Sequence, residues 1–246
     1  MRRTTFFVAV VAAVLGAKVA CADSLGTVDL QLASTPSNSP YSYTMYWNSG
    51  SYSGRAGPYQ ANLSNSNPAS LIGGLPATIG LYCMELNENI SVGPTYTYDV
   101  RPADEAPVPG TANVPAMGAD RAKVLAYWYK SYADSVVDRA TEIAFQLGVW
   151  EIVHERKAGD ASLTTYYSLS DGTAYATGAT VVAIANQWFT DLTIAGKANA
   201  LYALTYDGRQ DFLIDSGRPE FPGPSALVGL MGMGLIGLVA RRRRCR

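Results

Sequence analysis

Histidine occurs once in this chain of 246 residues, and cysteine three times. The single imidazole, His154, leaves no set of histidines for a metal centre, and no Cys/His spacing of a zinc site accompanies it. A glycine loop ending in lysine, which would cradle phosphate, is absent, as is a G-x-S-x-G nucleophile elbow. Charged residues are sparse, while Gly, Ser, Thr and Tyr are abundant. That balance suits an extracytoplasmic, strand-rich protein better than a cytosolic enzyme. No metal and no cofactor are expected.

The near-neutral net charge conceals an asymmetry. Residues 1–22 and 241–246 hold eight of the 19 basic residues, which leaves 11 basic against 20 acidic residues and a body near −9. An acidic body does not suit nucleic-acid phosphate, so no nucleic-acid partner is expected.

Both ends read as addresses. Arg2 and Arg3 precede an apolar run from Phe6 to Val19, and Ala20-Cys21-Ala22 is a small-x-small cleavage site. Residues 1–22 are therefore expected to be a secretory signal peptide. A lipidated Cys21 is the competing reading, and Lys18 stands where that signal wants an aliphatic residue. At the other end, Ser225 to Ala240 is uncharged and apolar, and Arg241 to Arg244 follow directly. This predicts a C-terminal membrane span whose arginines stay in the cytoplasm.

Removing the ends leaves Cys83 as the only cysteine of the exported body, residues 23–216. It has no partner for an internal disulfide, and a lone thiol in an oxidising compartment calls for an explanation. It could be buried and inert, a nucleophile, a metal ligand or chemically capped.

Alternating stretches predict strands at Gly26–Leu32, Tyr41–Trp47, Ala77–Leu86, Tyr96–Val100, Ser162–Leu169, Asn199–Tyr206 and Phe212–Ile214. The stretches 34–40, 49–58 and 62–70 read as polar or turn-rich surface connections, and 101–115, with four prolines, as a connector. Helices are predicted over Arg121–Tyr132, capped by Asp120, and from a cap at Ser135 to about Arg156, with Asp138 three residues beyond that cap. Val181–Thr190 could form a further short helix. This order predicts an α+β domain: a strand-rich sandwich or barrel with a helical pair inserted together.

In the second helix, Ile143, Leu147, Trp150 and His154 share one side, and Gln146 projects between Trp150 and Val153. An unpaired amide beside that stripe would cost roughly 1–3 kcal/mol, so Gln146 needs a partner. If Cys83 meets it, the thiol can attack the amide carbonyl and expel ammonia, leaving a thioester between the two side chains. Tyr82, Phe145 and Trp150 could keep water from such a bond. A Cys83/His154 hydrolase is the competing chemistry. For His154 the alternatives are a packed histidine near a helix C-terminus and a general base for an incoming nucleophile.

Two stretches carry a family resemblance. Tyr82-Cys83-Met84-Glu85-Leu86 and Ala144-Phe145-Gln146-Leu147-Gly148-Val149-Trp150-Glu151-Ile152 resemble the paired signatures of bacterial surface thioester domains, commonly Y-C-[IV]-D and A-x-Q-x-A-[IV]-W-E. The resemblance implies that Cys83 supplies the sulfur and Gln146 the acyl group. It also implies single-turnover covalent attachment to an amine- or hydroxyl-bearing surface or matrix target. Met84, Glu85 and Gly148 depart from the pattern, and Gly148 in place of alanine weakens a helix by about 1 kcal/mol and would loosen the site. The tail, residues 217–246, with Pro219-Glu220-Phe221-Pro222 before the apolar run and the arginines, resembles a PEP-CTERM sorting signal. That implies a Gram-negative bacterium, an exosortase partner, an inner-membrane precursor and a mature form at the cell surface or in the matrix.

Overall fold

Val28, Leu30 and Leu32 alternate with more polar residues, and all three are buried. They form the inner face of β1 (Gly26–Ser34), which pairs antiparallel on both sides. The computed structural model describes residues 24–47, 50–71, 75, 78–107, 117–155 and 167–219. The remaining strands are β2 (Thr44–Trp47), β3 (Gly50–Tyr52), β4 (Tyr59–Asn67), β5 (Thr78–Cys83), β6 (Thr95–Pro102), β7 (Ala174–Thr177), β8 (Asn199–Thr205) and β9 (Phe212–Pro219). The α-helices are α1 (Ala119–Tyr132), α2 (Arg139–His154) and α3 (Ala179–Asp191).

Six strands close an antiparallel barrel in the order β1-β4-β5-β9-β8-β6, and β3-β2-β7 form a separate small sheet. Closure removes the open edges that a sheet of this size would otherwise present. Leu30 of β1 stands opposite Leu63 of β4 and Tyr96 of β6, which fixes the register of the apolar side. Strand β8 is buried from Leu201 through Thr205 instead of on alternate residues, because α1 contacts it from outside the barrel.

The α+β class and the strand-rich barrel agree with the reading of the sequence, as do the consecutive helices α1 and α2 and the further helix expected over 181–190. That further helix, α3, packs on α2 with β7 between them in the chain, so it joins the inserted pair in space. Strands β3, β4 and β7 occur where no strand was expected. In β4, Ala61 and Leu63 turn inward while Gln60, Asn62 and Ser64 face solvent; the alternation is carried by small and polar residues. Tyr167–Leu169 is not strand, and residues 156–166 of the expected strand there lie outside the described residues.

Two caps also differ. Helix α1 begins at Ala119 after Gly118, so Asp120 lies inside its first turn. Asp138 caps α2, accepting from Thr141 N at 2.9 Å, while the Thr141 hydroxyl accepts from Asp138 N at 3.0 Å. The reciprocal pair satisfies both ends of a capping box, which Ser135 does not join. The signal-peptide segment and the tail beyond Pro219 lie outside the described residues. Among the described residues no helix is long and apolar enough to cross a membrane.

Candidate functional site

Helix α2 is buried on every side from Ile143 to His154, not along one stripe. It contacts α1, α3, β5 of the barrel and β7 of the small sheet. A helix so enclosed must be apolar all round or pair its polar groups. Three of its polar side chains, Gln146, Glu151 and His154, are buried and bonded to main-chain atoms.

Gln146 is fully buried and reaches the last residue of β5. The Cys83 N–H donates to Gln146 Oε1 at 3.0 Å, and Gln146 Nε2 donates to the Cys83 carbonyl at 2.8 Å. The strand ladder explains this pairing. The β4–β5 register runs only as far as Tyr59 opposite Leu81, whereas β5 continues two residues to Cys83 against β9. The Gln146 amide stands in for the missing strand. This is the partner the sequence demanded for the amide, and it brings Cys83 and Gln146 together.

The Cys83 side chain shares the inner face of β5 with Leu81. Phe212 of β9 is its register partner. The phenols of Tyr43, Tyr52, Tyr59 and Tyr129 all lie within electrostatic range of its sulfur, and Tyr59 is the one that favours the thiolate. Burial pushes the thiol well above its ordinary range, and the Tyr59 phenol offsets this only in part. Burial likewise pushes all four phenols up, so these hydroxyls stay uncharged beside the sulfur.

The three aromatic residues expected to shield the site take separate positions. Tyr82 and Phe145 pack at 4.6 Å between ring centroids, and both meet Tyr129. Trp150 meets Tyr52 edge-on at 5.5 Å. The four tyrosines near the sulfur escaped the sequence reading because they lie in separate segments, a loop, β3, β4 and α1, that only the tertiary fold brings together. The abundance of tyrosine was the one available signal.

Gly148 has the opposite role to the one expected. A Cβ there would overlap the indole of Trp128, which is fully buried and whose Nε1 donates to the Phe145 carbonyl at 3.3 Å. Glycine lets α1 seat a tryptophan against α2, which tightens the site.

His154 is buried, with Nε2 3.1 Å from the Met84 carbonyl, one residue along from Cys83. Glu151 accepts from Ser168 N at 3.2 Å. Glu85 accepts from Asp211 N at 3.1 Å, while Met84 N donates to the Asp211 carbonyl at 3.0 Å. Burial, then the charges of Asp211 and Glu88, raise the Glu85 carboxyl above the usual carboxylate range. Burial raises Asp211 as well. Among the described residues no group of three or more His, Cys, Asp or Glu is placed to hold a metal ion.

No family model matches the chain, and neither a curated protein nor a solved structure matches it.

Proposed function

We propose that Cys83 and Gln146 close an internal thioester and that the protein is an exported, single-use covalent adhesin. The observation that carries this reading is the reciprocal hydrogen bonding of the Gln146 amide to the Cys83 main chain in a dry site. In the reaction Cys83 Sγ attacks Gln146 Cδ, the C–N bond breaks, and the amide nitrogen leaves as ammonia with the thiol proton. The Cys83 N–H, already on Oε1, would hold the oxyanion that develops there.

The other hydrogen bond ranks the targets. Ammonia takes with it the donor that satisfies the Cys83 carbonyl. A primary amine that opens the thioester forms an amide whose N–H replaces that donor. A hydroxyl forms an ester and leaves the buried carbonyl unpaired, at a cost of about 1–3 kcal/mol. Amine-bearing targets are therefore favoured over hydroxyl-bearing ones.

One observation favours a second reading. The Gln146 amide already has both of its groups paired, which would also serve a non-reactive matrix-binding module with a free, buried Cys83. Intact mass separates the two. A thioester lowers the mass by about 17 Da, the ammonia lost on acyl transfer. Cys83→Ala and Gln146→Ala should each abolish the deficit, and methylamine should add at Gln146 as the Cys83 thiol appears. Full mass with a titratable thiol in the wild-type protein would leave the module reading standing.

For localisation we propose sorting through the tail, with an exosortase cutting near Pro219-Glu220. Peptide mapping of protein from its native host tests this. A surface form ending near those residues supports sorting, and recovery only of inner-membrane protein retaining Arg241 to Arg244 reduces the tail to an anchor.

A further inference from the structure

The sulfur presents a problem that the Cys83–Gln146 pair alone does not solve. When an amine opens a thioester, the C–S electron pair returns to sulfur. In water the thiolate is a good leaving group. Here burial pushes the thiol far up, so a bare thiolate would be released into a site that disfavours it. The sulfur must gain a proton as it leaves.

Register identifies one hydroxyl for the task. Tyr59 of β4 pairs with Leu81 of β5, and Phe212 of β9 pairs with Cys83 two residues further on. Side chains at Leu81 and Cys83 point to the same face. Although β5 separates their strands, the Tyr59 and Phe212 rings meet edge-to-face at 5.5 Å. The Tyr59 ring therefore leans across β5 on the Cys83 side, which brings its phenol within reach of the thiol.

We propose that Tyr59 is a catalytic residue of the thioester, the general acid that protonates Cys83 Sγ as an amine displaces it. This rests on the thioester reading above. The amine nitrogen forms its bond to Gln146 Cδ and the C–S bond breaks. The electron pair goes to Sγ, and Tyr59 Oη gives Sγ its proton. The nitrogen sheds one proton, which restores the phenol, so the net transfer is from amine to sulfur and no ion remains. Run in the other sense, the phenol takes the thiol proton during thioester formation and passes a proton to the departing ammonia. Burial raises the phenol as it raises the thiol, so both groups are uncharged before and after the transfer.

The test is Tyr59→Phe in the full-length protein, with methylamine as the probe and thiol release and intact mass as readouts. The ring and its contact with Phe212 are retained, so the melting temperature should stay close to wild type. Opening should slow by about a hundredfold or more, the usual worth of a positioned acid. A solvent deuterium effect on opening should be present in wild type and absent in the variant, which loosened packing would not produce. Loss of the mass deficit in a Tyr59→Phe protein of wild-type melting temperature also supports the assignment, through the formation step. Tyr98→Phe is the control: it removes a barrel hydroxyl that donates to the Gln210 carbonyl at 3.0 Å, and should open at the wild-type rate. Undiminished opening in Tyr59→Phe, or an equal loss in Tyr98→Phe, overturns the assignment and leaves the thioester intact. A wild-type protein without the deficit removes both.

Discussion

Cys83 and Glu85 are two residues apart at the end of one strand, both are buried, and the protein surrounds them in opposite ways. Around Cys83 stand phenols, aromatic rings and the Gln146 amide, with Glu85 the one carboxyl that acts on the sulfur. Around Glu85 stand two more carboxyls, Asp211 and Glu88. Burial pushes both groups toward their uncharged forms, so burial alone does not distinguish a reactive site from a structural one. The difference lies in the partner. Gln146 offers Cys83 an electrophilic carbon, and its exchange of hydrogen bonds with the main chain holds it in register. Glu85 meets a main-chain N–H and carboxyls, which stitch the end of β5 to the residues leading into β9.

The largest expected effect separates the two roles of Gln146. In a Cys83→Ala background no thioester can form, so adding Gln146→Ala reports the two hydrogen bonds together with the cavity the buried side chain leaves. Each lost bond leaves a main-chain group of residue 83 unpaired in a dry interior, and that loss should reach about 2–6 kcal/mol at roughly 1–3 each. Urea unfolding of the single and double variants measures it. A difference below about 1 kcal/mol would mean that Gln146 is not standing in for a strand.

Next comes Gly148→Ala. On propensity the change should stabilise α2 by about 1 kcal/mol. Against the Trp128 indole it should overpack, costing about 1–3 kcal/mol. We expect a net loss, read as a lower urea midpoint and faster opening by methylamine. A gain in stability would show that Trp128 can move aside.

These two residues also show what was legible in the sequence. Helix α2 was readable because its apolar residues are dense, but its start was placed at Ser135, three residues before the true cap at Asp138. That its whole circumference is buried was not readable, since a stripe and a fully apolar helix share the same core positions. The barrel class followed from alternation in β1, β6 and β8, whose inward residues are large. It failed at β4, whose inward residues, Ala61 and Leu63, lie among Asn and Ser, and at β7, only four residues long. Cys83 and Gln146 could be nominated separately, by a lone thiol and a misplaced amide. Their meeting depends on where the β4 pairing stops, and Tyr59 depends on the same register. The sequence marks neither with an unusual residue.

A smaller effect comes from pH and should act on the Glu85 side first. Both Glu85 and Asp211 have folded-state values raised above the ordinary carboxylate range, so the native protein binds more protons than the unfolded chain above about pH 4. Stability should therefore fall as pH rises from there through neutrality. Glu85→Gln keeps an acceptor for Asp211 N and removes a charge, and should flatten that decline. Thermal melts of both proteins between about pH 5 and 9 test it, that window spanning the raised range. A variant that declines as steeply as wild type would place the repulsion elsewhere.

The smallest effect expected is that of His154→Gln, and it bears on whether the Cys83 side really excludes charge. His154 Nε2 is 3.1 Å from the Met84 carbonyl, and with the proton on that nitrogen the ring serves as a donor that anchors the end of β5. A glutamine amide can supply a donor in the same position, so stability should change by no more than about 1 kcal/mol, the net worth of one hydrogen bond. If His154 instead acts as general base for the incoming amine, opening by methylamine should show a pH inflection, and the variant should lose it. A cysteine hydrolase would be silenced by the same change and spared by Gln146→Ala. We expect opening rates of His154→Gln to follow wild type from about pH 6 to 8, across the range in which an ordinary imidazole changes charge. A wild-type inflection missing from the variant would bring a titrating group to the Cys83 side and end the contrast with Glu85.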